Sequence, residues 1–209
     1  MEEALFKDRA DAAVQLIPKI PLADPEKMVV LGIPRGGVPI ASQIAVALHA
    51  PMDVLLIKKL TTPNNPEYAI GAVGLEESWI DEKQLLSDEE LDHQIRKAQQ
   101  LLRERNRIYR NDRPLTQLRG KVVLLVDDGI ATGRTLLHAI NMVQSHSPLA
   151  IWVAVPVSSR EAAARIIPKV DRFICLHQPE PFIGVGRFYQ LFPPVSDREV
   201  VSTIYPTNR

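Results

Sequence analysis

Five short apolar runs, separated by stretches of helical periodicity, constrain the fold of this chain more than any other feature of its sequence. The runs are rich in β-branched residues and do not alternate with polar positions, which is typical of strands covered on both faces. Strands that alternate with helices form parallel sheets joined by right-handed crossovers. We therefore predict an α/β fold with a doubly wound, mostly parallel sheet. The runs occupy residues 28–33, 53–60, 122–128, 150–157 and 172–177.

The segments between the runs predict the helices. One helix follows the first run at 38–49, and two others begin near Gly133 and Ser159. The charged segment at 86–112 predicts a long helical insertion with Ser87 as its N-cap and Glu90 completing a capping box. Because its apolar stripe is narrow, we expect this helix to pack against the core or a second subunit. The stripe consists of Leu91, Ile95, Ala98, Leu102 and Ile108.

The length of the chain allows one buried core and a small additional lobe. We expect a single domain over its 209 residues, with the core at about 26–177. A Pro- and Asn-rich stretch within 61–80 predicts a flexible loop that leads into a hairpin. The Pro, Gly and aromatic residues of about 178–209 suit a small hood shared with the N-terminal helix.

Composition excludes several classes of protein. The 25 basic residues equal the 25 acidic ones, so bulk attraction to nucleic acid or an anionic membrane is not indicated. Cys175 is the only cysteine, which excludes a disulfide framework and a cysteine-rich zinc site. The N-terminus lacks the apolar region of a signal peptide, and no apolar stretch approaches the roughly 20 residues needed to span a bilayer. We expect a soluble, cytoplasmic protein without a membrane partner.

Asp127 and Asp128 stand together at the end of the third apolar run. Ligands of open α/β sheets bind beyond the carboxyl ends of the strands. Two like charges about 4 Å apart cost about 1 kcal/mol in water and about 4 kcal/mol at an effective dielectric constant of 20. Burial of the apolar residues that precede the acids contributes more free energy than this repulsion costs. It does not explain why two adjacent acids are present. Adjacent carboxylates can accept hydrogen bonds from two neighbouring hydroxyls, bind a metal ion, or do both.

The loop that follows the acids predicts an anion site. Gly129, Ala131 and Gly133 let the backbone curl and turn its N–H groups inward, and Thr132 and Thr135 add hydroxyls. The positive end of the next helix points into the same loop. Acceptors for hydroxyls beside donors for a phosphate fit a ribose 5-phosphate group.

Two other phosphate sites fit less well. A Walker A loop needs one more residue between its glycines and a lysine where Arg134 stands. A receiver-type phosphoacceptor site would need an acid closing the neighbouring strand, whereas Asp53 opens the second run and Lys58 lies near its end.

The stretch VDDGIATGRT, between a strand and a helix, resembles the 5-phosphoribosyl 1-pyrophosphate (PRPP) signature of the type I phosphoribosyltransferase family. The resemblance extends over nearly the whole chain. It is greatest to members of the family whose acceptor substrate is undefined. It implies that Asp127 and Asp128 bind the ribose hydroxyls. It also implies that the 5-phosphate is bound by Ala131, Thr132, Gly133, Arg134 and Thr135, with only the backbone of Arg134 involved.

Arg35, Gly36 and Gly37 end the first run and open a helix, which again provides amides and a guanidinium suited to phosphate. The resemblance assigns them to pyrophosphate, in a loop that often contains a strained or cis peptide. The alternative is a helix-opening turn with a solvent-facing arginine. Lys58 and Lys59 end the second run and point to opposite sides of the strand. One of the two faces the pyrophosphate, and the sequence leaves open which.

The segment after the lysines resembles the mobile catalytic loop of the family, which closes over PRPP and excludes water. Its candidates are Asn64, Asn65, Glu67 and Tyr68, and a plain surface loop is the alternative. The candidate catalytic residues are then Lys58, Lys59, Glu67, Asp127 and Asp128.

The resemblance implies a Mg²⁺-dependent transfer of the 5-phosphoribosyl group from PRPP to a nitrogen acceptor, a nucleobase or related amine, with release of pyrophosphate. Mg²⁺ is expected to be held mainly by PRPP and water, with Asp127 and Asp128 as further candidate ligands. Aromatic side chains of the C-terminal lobe either stack on the acceptor or form the core of that lobe. They are Phe182, Phe188, Tyr189 and Phe192.

A different class remains open: a PRPP-binding regulator with little or no turnover, contacting RNA through the basic residues of 96–119. A charge run of this kind is more often a solvated helix face, so nucleic acid is not the expected partner. We expect a homo-oligomer, a dimer being the simplest.

Overall fold

A five-stranded parallel sheet forms the centre of the molecule. The computed structural model describes residues 4–62, 65–81 and 85–205, and the side chains of 65–69 lie outside that description. Its strands are β1 (Met28–Gly32), β2 (Met52–Val54), β6 (Val122–Val126), β7 (Ala150–Val157) and β8 (Arg172–His177). All neighbouring strands are parallel, in the order β2-β1-β6-β7-β8. This confirms the predicted fold class.

Helices cover both faces of the central sheet, which explains why its strands are apolar without alternation. The helices are α1 (Arg9–Leu16), α2 (Gly37–Leu48), α3 (Asp88–Arg110), α4 (Arg134–Ser145), α5 (Arg160–Ile166) and α6 (Asp197–Ile204). Buried side chains of α1 and α2 pack on one face, and those of α4 and α5 pack on the other. Among the described segments, no helix combines the length and hydropathy that a bilayer crossing requires.

A second sheet is antiparallel and contains β3 (Lys58–Thr62), β4 (Asn65–Val73) and β5 (Ser78–Ile80). The prediction of one strand over 53–60 was therefore wrong, because this run divides between β2 and β3 in two different sheets. The residues between the two strands, Leu55 to Ile57, are all buried, so the apolar pattern continues where the sheet does not. Lys58 and Lys59 consequently open an antiparallel strand instead of closing a parallel one.

The long helix α3 begins as predicted. The Ser87 side chain accepts a hydrogen bond from the Glu90 amide (3.3 Å), and the Glu90 carboxylate accepts one from the Ser87 amide (2.9 Å). Leu91, Ala98 and Leu102 are buried against residues of β3, β4 and α6. Ile108, expected in the stripe, is 48% exposed. The apolar face of α3 therefore packs on the core of its own chain.

We expect Ser87→Ala to lower the free energy of unfolding by about 0.5–2 kcal/mol, because it removes the N-cap acceptor of α3. Chemical denaturation measures the change. Gln100→Ala, at an exposed position within the same helix, is the control and should stay within about 0.5 kcal/mol of the wild type. Equal losses in the two variants would show that the cap has no special role.

Candidate active site

The acid pair lies at the carboxyl end of β6, the middle strand of the central sheet. Oδ1 of Asp127 accepts a hydrogen bond from the Asp128 amide at 2.9 Å, which orients the first carboxylate. The hydroxyl of Tyr189 donates to the main-chain oxygen of Asp128 at 2.6 Å and ties the pair to the C-terminal segment. The two carboxylates are thus fixed at the edge of the sheet where ligands of such folds bind.

Both carboxylates hold protons more strongly than ordinary aspartates. Burial raises the pKa of Asp127 well above its usual value, and the charge of Asp128 raises it further. Burial also raises the pKa of Asp128, although the charge of Arg9 acts in the opposite direction. A ligand that brings hydroxyl donors or a cation to the pair would offset the cost of holding two buried charges together.

Arg9, at the start of α1, contacts Asp128 directly. Its Nε and Nη2 atoms lie 2.9 and 2.8 Å from the same oxygen, Oδ2. Its Nη1 donates to the main-chain oxygen of Pro193 at 2.8 Å, and its guanidinium lies 3.9 Å from the ring centroid of Phe192. Arg9 could not be identified from the sequence, because nothing local to the N-terminal segment indicates a contact with a carboxylate more than a hundred residues away.

The loop at 34–37 crosses directly over the acid pair. The peptide bond between Pro34 and Arg35 is cis. A Cβ on Gly36 would lie 1.9 Å from Oδ2 of Asp128, and a Cβ on Gly37 would lie 2.4 Å from the main-chain oxygen of Val126. Glycine is therefore required by close approach at both positions. The structure brings together the two segments that the sequence assigned to one ligand.

Arg35 is exposed and reaches toward the C-terminal helix. Its Nη1 lies 3.7 Å from Oδ1 of Asp197, the first residue of α6. The buried Tyr109 of α3 donates its hydroxyl to the same oxygen, and burial together with this bond raises the pKa of that tyrosine. Asp197 was also missed, since an acid in the first turn of a helix is ordinarily explained by the helix dipole.

The loop before α4 presents its amides away from α5. The main-chain oxygen of Ala131 accepts a hydrogen bond from the Ser159 hydroxyl (2.6 Å), and that of Thr132 accepts one from Arg165 (3.3 Å). In a trans peptide the N–H points opposite to the C=O, so the amides of Thr132 and Gly133 face the other way. Gly133 has a φ of +75° and is the N-cap of α4. This arrangement matches an anion site at a helix N-terminus.

Arg134 and Thr135 begin α4, as predicted. Arg134 lines a cavity of about 310 Å³ together with the buried His138 and the exposed Asp81. Nε2 of His138 lies 3.3 Å from Oδ2 of Asp81, and burial lowers the pKa of this histidine. The role of the Arg134 backbone in a 5-phosphate site stays a prediction.

A model of the phosphoribosyl transferase domain matches residues 2–186, which is most of the chain. The chain belongs to the phosphoribosyl transferase family. It is 37% identical over 210 residues to two Mycobacterium tuberculosis proteins, MT0597 (strain CDC 1551 / Oshkosh) and Rv0571c (strain H37Rv), whose names give phosphoribosyl transferase as their inferred activity. The alignment covers 98% of this chain and 47% of each relative, so the chain spans about half of their length.

Solved structures share the fold of the chain. The chain is 35% identical to TT1426 from Thermus thermophilus, with a TM-score of 0.84 over 96% of this chain and 98% of that one. The AQ2163 protein from Aquifex aeolicus is 16% identical, with a TM-score of 0.52 over 94% and 85% of the two chains, and shows the shared fold alone. The phosphoribosyl transferase fold is therefore present over nearly the whole described chain.

The lysines and the hairpin of the phosphoribosyl transferase fold lie on the second sheet. Lys58 is exposed, whereas Lys59 is partly buried, and they pair with Val73 and Ala72 of β4. Asn65, Glu67 and Tyr68 belong to β4, but their side chains lie outside the described residues, as does Asn64 altogether. Their catalytic roles stay predictions.

The aromatic residues near the candidate site pack mainly on one another. Phe188 and Tyr189 are buried with Phe6, whose main chain bonds on both sides of Tyr189: its amide donates to the Phe188 oxygen, and its oxygen accepts from the Gln190 amide. This packing favours the alternative that they form the core of the lobe. Phe182 is partly buried and lies 5.1 Å from Phe188 between ring centroids.

Proposed function

We propose that this protein transfers the 5-phosphoribosyl group of PRPP to a nitrogen acceptor, a nucleobase or a related amine, and releases pyrophosphate. One observation carries the proposal: Gly36 lies so close to Asp128 that no side chain fits between them, which puts a predicted pyrophosphate loop against a predicted ribose site. PRPP joins those same two groups through one bond. Membership of the phosphoribosyl transferase family supports the assignment.

The acid pair and the following loop would hold the sugar phosphate. Asp127 and Asp128 accept hydrogen bonds from the ribose hydroxyls, and the amides of Thr132 and Gly133 donate to the 5-phosphate. The hydroxyls of Thr132 and Thr135 are further donors in the same loop. These contacts fix the anomeric carbon, so that an acceptor can approach in line with the departing pyrophosphate.

Arg35 and the amides of the 34–37 loop would stabilise the negative charge that develops on pyrophosphate as it leaves. No cluster of three or more His, Cys, Asp or Glu side chains in the described residues could hold a metal by itself. The two aspartates supply hard oxygen ligands, which fit Mg²⁺ when PRPP and water complete its coordination. Mg²⁺ bound there would add positive charge beside the leaving group.

A thermal shift titration with PRPP, with and without Mg²⁺, tests binding, and a pyrophosphate-release screen over nucleobases and amines tests transfer. We expect PRPP to raise the Tm and at least one acceptor to release pyrophosphate. A Tm unchanged by PRPP would contradict the site assignment. A PRPP-induced shift without release by any acceptor would instead support the PRPP-binding regulator.

We expect Arg35→Ala to raise the KM for PRPP by about 10- to 100-fold, because a hydrogen bond to a charged group contributes about 1.5–3 kcal/mol. Steady-state pyrophosphate release measures the effect. Arg198→Ala is the matched control, since that exposed arginine follows Asp197 on α6. An unchanged KM in Arg35→Ala would remove this arginine from the pyrophosphate site.

A further inference from the structure

Arg9 makes an unusual set of contacts for a residue in the first turn of a terminal helix. Its side chain is only 11% exposed and that of Asp128 only 14%, so the two charges meet away from bulk water. Burying an ion pair costs desolvation free energy, which is offset only when the geometry of the pair is good and its remaining donors are hydrogen-bonded. The bond from Nη1 to Pro193 and the stacking on Phe192 meet that condition.

The contacts of Arg9 also distinguish the two oxygens of Asp128. Both guanidinium nitrogens bind Oδ2, and a Cβ on Gly36 would lie 1.9 Å from that oxygen and 3.0 Å from Oδ1. Because Arg9 occupies Oδ2, a ligand hydroxyl would be accepted by Oδ1. A carboxylate held in this way presents one acceptor in a fixed direction.

We propose that Arg9 is a positioning residue of the ribose site: it holds Oδ2 of Asp128 and directs Oδ1 toward a sugar hydroxyl. This inference rests on the proposed function. It makes α1 part of the active site, although α1 is separated from the acid pair by most of the chain. It also gives a function to the packing of the N-terminal segment on the 182–193 segment, because that packing positions Arg9 beside Asp128.

The position of Arg9 predicts which ligands lose affinity when it is changed. Arg9→Gln removes the charge but keeps a polar side chain, so Oδ1 of Asp128 loses its fixed direction. We expect the Kd for PRPP and for ribose 5-phosphate to rise about tenfold. The Kd for inorganic pyrophosphate, which the proposed function places at the 34–37 loop, should change by less than about twofold.

The experiment measures the Kd for PRPP, ribose 5-phosphate and pyrophosphate by calorimetry at one pH in the wild type, Arg9→Gln and Arg9→Lys. Arg9→Lys restores the charge but not the contact by two nitrogens, and it should recover part of the affinity for ribose 5-phosphate. Equal losses for ribose 5-phosphate and pyrophosphate in Arg9→Gln would overturn the proposal, because they would indicate a purely structural role. An unchanged Kd for ribose 5-phosphate in Arg9→Gln would overturn it as well.

A second measurement does not depend on PRPP. A double-mutant cycle of Arg9→Gln and Asp128→Asn, followed by chemical denaturation of the ligand-free proteins, tests whether the two side chains interact, and we expect their effects on stability to be non-additive. Additive effects would contradict the inference even if PRPP binds. A wild type that does not bind PRPP, together with non-additive effects, would instead overturn the proposed function and leave the link between Arg9 and Asp128 in place.

Discussion

Asp128→Asn is expected to abolish the thermal stabilisation of the protein by PRPP. A ligand present at 100 times its Kd stabilises the folded state by about 2.7 kcal/mol, which corresponds to a rise in Tm of about 5–10 °C for a chain of this size. The asparagine keeps the volume of the side chain but loses the charge and one of the two acceptor oxygens. The retained amide cannot replace a carboxylate that accepts from a hydroxyl and pairs with Arg9 at the same time.

The ligand-free Asp128→Asn variant should remain folded. Removing the carboxylate costs the ion pair with Arg9, but it also removes a buried charge beside Asp127, and these effects oppose each other. We expect its Tm to stay within about 4 °C of the wild type, a change of about 1 kcal/mol. Asp112→Asn is the matched control. That aspartate is exposed at the end of α3, and its positive φ suits asparagine. A full PRPP-induced shift in Asp128→Asn would contradict the assignment of the ribose site.

Gly37→Ala is expected to lower the free energy of unfolding by about 1–3 kcal/mol, because its Cβ would overlap main-chain atoms. The added carbon would lie 2.4 Å from the Val126 oxygen and 2.8 Å from the Asp127 Cα, and neither atom can move without displacing the end of β6. The Tm should fall by about 2–12 °C. Since the displaced residues precede Asp128, the PRPP-induced shift should also decrease.

Gly184→Ala is the control for this substitution. A Cβ at position 184 meets no atom within 4 Å, and the φ of 161° is ordinary extended backbone. We expect its stability to stay within about 0.5 kcal/mol of the wild type. Differential scanning calorimetry on the two variants, each with and without PRPP, measures both effects. Equal stability of Gly37→Ala and the wild type would mean that the 34–37 loop is not held against β6 as described.

The parts of the fold that could be predicted are those with a local physical cause. The central sheet follows from continuous β-branched runs, because strands buried on both faces need no polar positions. The start of α3 follows from Ser87 and Glu90, whose hydrogen bonds involve residues only three apart. The position of Asp127 and Asp128 follows from the end of an apolar strand. In each case, the residues that form the pattern in the sequence are the same few residues that form the feature in the structure.

The division of the 53–60 run shows why other features could not be predicted. Leu55, Leu56 and Ile57 are buried in the core, so the chain stays apolar while it leaves the parallel sheet and enters the antiparallel one. Hydrophobic periodicity reports burial and contains no information on which sheet a residue joins. The orientation of Lys58 and Lys59 was tied to the wrong strand for that reason.

The contacts of the site that sequence analysis missed all join distant segments. Arg9 reaches Asp128 from the first helix, and Asp197 reaches Arg35 from the last. Asp197 also has an ordinary local explanation as an acid in the first turn of a helix. Only the folded chain shows that the two terminal helices contact the two halves of the candidate site.

One carboxylate oxygen of Asp197 contacts both Tyr109 and Arg35, and this shared contact has an evolutionary consequence. A change of any one of these residues alters the hydrogen bonding or the charge balance of the other two. Homologous sequences are therefore expected to vary at the three positions together, as a correlated set, and substitutions accepted singly should be rare.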